Sequence, residues 1–185
     1  MVLDKGRILH HNFTMKPETL RSKTVYEGSV FDVRVDTIRE QGEVHDREIV
    51  VHSGSAVILP VFDDGKVALV RQYRHAVGKD LLELAAGGIE ENEDPKDGAA
   101  RELEEEIGVK AENIELLCST YVSPGFLSEK MHIYRATGLT DVGQKLEGDE
   151  NITVERYSFE QLHEMIRTGD IEDAKTIVGI QLASA

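Results

Sequence analysis

"GGIEENEDPKDGAARELEEEIGV", residues 87–109, holds the reading of this chain, because it packs four glutamates into one short helix. Asp94 suits an N-cap, Pro95 the first helical position, and Asp97 adds a carboxylate near the positive end of the helix dipole. Ala99, Ala100, Leu103 and Ile107 recur at helical spacing and form a stripe that faces a core. Gly108 ends the helix. Glu102, Glu105 and Glu106 gather on another side, where Arg101 reaches Glu105 at i+4. Carboxylates four apart, as at Glu102 and Glu106, oppose helix formation by about 0.2–0.5 kcal/mol. A solvated charged face is the ordinary fate of such a helix. Ahead of it, "AAGGIEENE" (85–93) reads as a loop whose Gly87 and Gly88 let the backbone approach a ligand closely.

Strands surround this helix. "VFDVRVDTI" (30–38) alternates Phe31, Val33 and Val35 with Asp32, Arg34 and Asp36, the pattern of a half-buried strand. "REIVVHSG" and "SAVILPVFDDGKVALVRQY" follow, with "DDG" (63–65) as a hairpin turn between two apolar strands. "IELLCSTYV", "KMHIYRATGL" and "NITVERYS" read as further strands. "SFEQLHEMIRTG" is a helix with a capping box at Ser158 and Gln161, and "DAKTIVGIQLASA" is a second. The order is not a regular βαβ alternation, so the expected fold is α/β of mixed type: a mixed β-sheet sandwiched between helices, with a strand-rich N-terminal extension. Residues 1–50 form that extension and 51–185 the main domain, within one folding unit.

The net charge of −14 argues against nucleic acid as a major ligand, since phosphate backbones are held by clustered Lys and Arg. A small anion remains compatible if metal ions or a few arginines supply local positive charge. No apolar run approaches the roughly 20 residues that span a bilayer, so no membrane partner is expected. The N-terminal residues lack the apolar core of a secretory signal, and Cys118 is the single cysteine, which together lead to an expected cytoplasmic location. Cys118 itself is expected to be a buried, inert thiol. The seven histidines show no ligand spacing, "HH" at 10 and 11 reads as a mobile terminus, and no EF-hand, Ser-His-Asp or CxxC arrangement is present.

The helix and its approach also fit a fixed pattern: Gly87, five residues, Glu93, seven residues, Arg101-Glu102-Leu103, one residue, Glu105-Glu106, one residue, Gly108-Val109. This resembles the Nudix hydrolase signature at every specified position, over 23 of the 185 residues. The resemblance implies hydrolysis of a nucleoside diphosphate linked to another group, with Mg²⁺ or, as a substitute, Mn²⁺. It implies Glu102 and Glu106 as the principal metal ligands, with Glu105 a further ligand or acting through water, and the Ala86 carbonyl as a backbone ligand. Arg101 would orient a glutamate, Glu93 would hold the loop against the helix, and Glu104 would be surface. Hard cations take oxygen ligands, which explains why carboxylates tolerate one another here.

Outside the signature, "VRQYR" (70–74), "LLELAAGGIE" and "YVSPGF" (121–126) are similar to the ADP-ribose pyrophosphatase branch, in which a proline follows the signature as Pro124 follows Val109 here. The branch usually has proline where this chain has Ala85. The implied reaction converts ADP-ribose and water to AMP and ribose 5-phosphate; GDP-mannose, another nucleotide sugar or a nucleoside triphosphate is the alternative substrate, and a binding module without catalysis the alternative class. By position before "ITV", Glu150 and then Glu147 are candidates for the general base. Arg71 and Arg74 are candidates to clamp phosphates or stack on adenine, or else solubilise strand ends. Glu83 would accept from ribose hydroxyls or form a structural salt bridge. Phe126 and Tyr121, beside Pro124, would be pocket wall or core. The branch further implies a homodimer built through the N-terminal strands.

Overall fold

The computed structural model describes residues 16–146 and 151–184 of the chain. Two compact units divide at residues 49 and 50, Met1–Ile49 and Val50–Ala185.

The first unit is an antiparallel meander of β1 (Glu18–Glu27) and β2 (Asp32–Glu40) leading into β3 (Glu43–Val51), which runs across the boundary. Gln41 and Gly42 both have positive φ, 53° and 90°, so the two-residue turn between β2 and β3 matches the right-handed twist of the strands. Every residue of β1 is exposed, including Leu20, Val25 and Tyr26.

In the second unit, β4 (Ser55–Pro60) lies between β7 (Ala85–Gly88), antiparallel to it, and β9 (Lys130–Asp141), parallel to it; β8 (Val109–Tyr121) completes that sheet beyond β9. A second sheet has the order β10 (Ile152–Tyr157), β5 (Val67–Arg74), β6 (Lys79–Glu83). Side chains alternate along a strand, and β4 is apolar at every interior position, so it has two buried faces. Ala56 and Ile58 pack with Ala68, Val70, Ala99, Leu103 and Ile107 of one core. Val57 and Leu59 pack with Val67, Leu69, Leu162 and Ile180 of the other. The helix α1 (Pro95–Glu102) covers the first core, and α2 (Phe159–Thr168) and α3 (Ala174–Ala183) cover the second. The expected mixed sheet between helices is present, as two sheets.

Three local readings change. The "DDG" turn exists, with Phe62 N donating to Lys66 O at 2.9 Å, but β4 and β5 part after one bridge between Val61 and Val67 and enter different sheets. Gly87 and Gly88 belong to β7, opposite Ala56 and Ser55, and not to a loop. The acidic helix is α-helical only to Glu102; Leu103–Ile107 form a π turn, closed by Gly108 N donating to Leu103 O at 3.1 Å. Cys118 is half-buried, and burial pushes its thiol up. Among the described residues no helix is long and apolar enough to cross a membrane.

Candidate active site

The signature segment is held at both ends by the caps its residues favour. Asp94 accepts from Lys96 N at the start, and Gly108, at φ 79°, takes the left-handed conformation at the end. Ala99, Leu103 and Ile107 sink into the core and thereby turn Glu102, Glu105 and Glu106 toward β7. Ala100 is only half-buried.

Glu102 and Glu106 are 7% and 4% exposed, a rare state for carboxylates outside ion pairs or metal sites. Glu106 Oε2 accepts from Ala86 N at 3.2 Å, so the π turn is tied to β7. Opposite, Gly87 leaves room for Glu102: a Cβ built on Gly87 would lie 1.9 Å from Glu102 Oε1. A cavity of about 320 Å³ opens here, lined by Ala86, Gly87, Gly88, Glu90, Arg101, Glu102 and Glu105.

Arg101 is the hub. It donates through Nη1 to Glu102 Oε1 at 2.5 Å and Glu105 Oε2 at 3.1 Å, through Nε and Nη2 to the two Glu93 oxygens at 3.1 and 3.2 Å, and through Nη2 to Gly88 O at 3.0 Å. The bond to Glu93 leads the influences that raise the guanidinium's pKa, so it stays charged at every accessible pH. In turn Arg101 holds the Glu93 carboxyl below the usual range. Glu104 pairs with Lys110 at 3.4 Å, outside the cavity lining.

The donor set fits a hard divalent cation. Among the described residues no three His, Cys, Asp or Glu side chains form a ready-made metal cage. Mg²⁺ does not need one, since it commonly takes one or two carboxylates and completes its shell with phosphate and water. Glu102 and Glu106, with Glu105 at the cavity rim and the Ala86 carbonyl in the adjoining strand, provide oxygen donors only.

Beside Glu106 lies a second charge network. Glu83 is 2% exposed and accepts from Arg74 Nε and Nη2 at 2.7 and 2.9 Å and from Lys175 Nζ. Burial by itself would push the Glu83 carboxyl up, but the hydrogen bonds and charges of Arg74 and Lys175 outweigh it and hold the carboxyl below its usual range. Arg74 is pushed up first by Glu83 and also by the charge of Glu106. Lys175 also meets Asp173 at 3.1 Å, the N-cap of α3. Sequence reasoning did not include Lys175; its position just inside a helix start carries no signal of a partner 92 residues away.

Arg71 does not join this network. An odd separation of three puts Arg71 and Arg74 on opposite faces of β5. Arg71 instead donates to Glu155 Oε1 at 2.6 Å, and Tyr157 donates to the same carboxylate. Pro124 and Phe126 are exposed in the connection between β8 and β9 and do not line the cavity, and Tyr121 is exposed as well. Glu147 and Glu150 lie outside the described residues.

The NUDIX domain model matches residues 52–178, which include the whole of this cavity and its helix. The chain belongs to the Nudix family. It is 33% identical over 171 residues to the ADP-ribose pyrophosphatase of Bacillus subtilis (strain 168), covering 91% of this chain and 92% of that protein. It is 34% identical over 167 residues to the methanol dehydrogenase activator of Bacillus methanolicus, covering 89% and 90%. To the GDP-mannose pyrophosphatase of Escherichia coli O1:K1 / APEC it is 32% identical over 163 residues, covering 81% and 84%. Among solved structures, the crystal structure of an ADP compounds hydrolase superposes with a TM-score of 0.82 at 23% identity, covering 92% of this chain and 93% of that one. At that identity the match establishes the Nudix fold.

Proposed function

We propose that this Nudix enzyme hydrolyses the pyrophosphate bond of ADP-ribose to AMP and ribose 5-phosphate. The observation that carries the site chemistry is the pair of nearly buried carboxylates held along β7, Glu102 against Gly87 and Glu106 bonded to Ala86 N, in a chain of net charge −14. Such a pair supports the binding of Mg²⁺, with Mn²⁺ as a substitute, by Glu102, Glu106, the Ala86 carbonyl and, directly or through water, Glu105. A divalent ion bound there would neutralise the pyrophosphate and the charge that develops on attack. Relatives named for ADP-ribose support the substrate.

The chain's own side chains divide the remaining work. Arg101 is a positioning residue: pinned by Glu93, it holds the Glu102 and Glu105 carboxylates in place. Arg74, oriented by Glu83 and Lys175, is the guanidinium for substrate phosphate, while its bidentate bond makes Glu83 a support for Arg74 and leaves it less suited to the ribose. The Arg71–Glu155 pair supports a structural role for Arg71. Activation of water at phosphorus needs a carboxylate within hydrogen-bond reach, for which Glu150 is the first candidate and Glu147 the second. Pro124 and Phe126 are proposed for the wall of the nucleoside pocket. Residues 1–50 are proposed as a dimerisation extension of the catalytic domain 51–185, because β1 exposes Leu20, Val25 and Tyr26 on an edge that has no partner strand among the described residues and that a second copy can cover.

The test is product analysis with Mg²⁺ and, separately, with Mn²⁺ across ADP-ribose, GDP-mannose, ADP-glucose and dGTP. ADP-ribose is expected to lead and to yield AMP; preference for another compound overturns the substrate, and no cleavage with either metal overturns the enzyme reading. A second substrate reading, GDP-mannose, is favoured by the GDP-mannose pyrophosphatase relative, and GMP as product would decide for it.

A further inference from the structure

The chemistry above leaves unused a group of contacts on the far end of the acidic helix. A helix end leaves its last carbonyls without intrahelical partners, and the π turn ends with Gly108 N donating to Leu103 O. The carbonyls that follow are met by four consecutive residues from the segment after β9. Val142 N and Gly143 N donate to Gly108 O at 2.8 and 3.0 Å, and Lys145 N donates to Glu105 O at 3.0 Å. The Gln144 side chain adds Nε2 to Glu106 O at 2.6 Å. Gly143, at φ 77°, supplies the backbone turn, and Asp141 Oδ1 accepts from Gly143 N at 3.0 Å.

Gly108 is specified twice by this arrangement. Its φ of 79° favours glycine, and a Cβ there would meet Gln144 N at 2.6 Å and Gly143 C at 2.8 Å. The glycine that ends the helix is therefore also the floor on which residues 142–145 lie.

We propose that residues 142–145 form a strap that fixes the π turn, and that Gln144 is a positioning residue for Glu105 and Glu106. The strap bonds the backbone carbonyls of those two residues, from which their side chains reach the cavity side. The π turn is one residue wider than an α-helical one and short, so the donors that reach its carbonyls from outside help set where the carboxylates start. This inference rests on the proposal that Glu105 and Glu106 serve a divalent cation.

The experiment uses the full chain and Gln144→Met, which keeps the length and removes the donor at an exposed position. Amide hydrogen exchange is measured in metal-free protein at Gly108 and Lys145, the two amides that close the π turn and the strap. Mn²⁺ binding is measured without substrate from the paramagnetic resonance of the free ion. The expected result is protection at both amides in the wild type, exchange about fivefold faster in the variant, and a Kd for Mn²⁺ raised by a similar factor. KM for ADP-ribose should stay within about twofold, and kcat should recover at saturating metal. Unprotected wild-type amides overturn the strap. Faster exchange with unchanged Mn²⁺ binding overturns the positioning role and leaves the metal site standing. A wild-type chain that binds no Mn²⁺ overturns the metal reading, and this inference falls with it.

Discussion

Two adjacent glycines on β7 separate the chemistry of the site from the stability of the fold. A Cβ on Gly87 would lie 1.9 Å from Glu102 Oε1, 2.4 Å from Cδ and 2.8 Å from Oε2, whereas a Cβ on Gly88 would meet nothing within 4 Å. Ordinary contact begins at 3.4 Å, so Gly87→Ala requires a displacement of 3.4 − 1.9 = 1.5 Å. The obstacle is the far end of a flexible side chain, and Gly87 has no positive φ, so the strand accepts alanine and Glu102 moves. Alanine in a strand is favoured over glycine by about 0.5–1 kcal/mol, and a loosened Arg101–Glu102 pair loses a comparable amount, so stability should change by less than about 1 kcal/mol. Activity should not be spared, since a misplacement of about 1 Å in a catalytic constellation costs roughly 10²-fold. Initial rates of AMP release from ADP-ribose, beside thermal unfolding, test this. Gly87→Ala is expected to lose about 10²-fold or more in kcat/KM with an almost unchanged Tm, and Gly88→Ala to keep its Mg²⁺ dependence with a Tm unchanged or slightly raised. A Gly87→Ala protein with near-normal rates, or one that fails to fold, refutes the reasoning.

Glu106→Gln should lower turnover by about 10²–10³-fold with the far-ultraviolet circular dichroism unchanged, because the amide preserves the shape but not the charge of an almost buried carboxylate. Glu83→Gln should cost about 2 kcal/mol in urea unfolding, since it leaves Arg74 and Lys175 without their shared carboxylate while Arg74 can still reach solvent. The same carboxyl predicts an acid limb. Its folded pKa lies below its unfolded one, so its contribution to stability is present above the unfolded value and is lost as pH falls through the folded value. Tm measured from neutral pH down to about pH 3 should therefore fall less steeply in Glu83→Gln than in the wild type; parallel curves would show that Glu83 does not carry that limb.

Local rules made the helices legible. Asp94 and Pro95 start α1, Ser158 and Gln161 close the capping box of α2, and Gly108 and Gly169 stop their helices at positive φ, each within one turn of chain. The carboxylate cluster was legible for the same reason, because residues three and four apart on a helix must be neighbours. Longer-range pairings were not. Whether Gly87 stood in a loop or a strand depended on its pairing with Ala56, and whether the "DDG" turn closed a hairpin depended on where β5 found β10 and β6. The π turn needed Gly108 to reach one residue further back than an α-helix would, and the donors that meet its carbonyls come from residues 142–145, well beyond local range.

The sequence by itself determined the family and the gathering of carboxylates on one side of the signature helix, because these depend on residue types at fixed local spacing. Only the tertiary structure decided that Glu102 fits against Gly87, that Arg74 and Lys175 share Glu83, and that Arg71 belongs elsewhere. Each of those is a contact between segments far apart in the chain, and burial among such segments, not any local propensity, selects one partner for each charge.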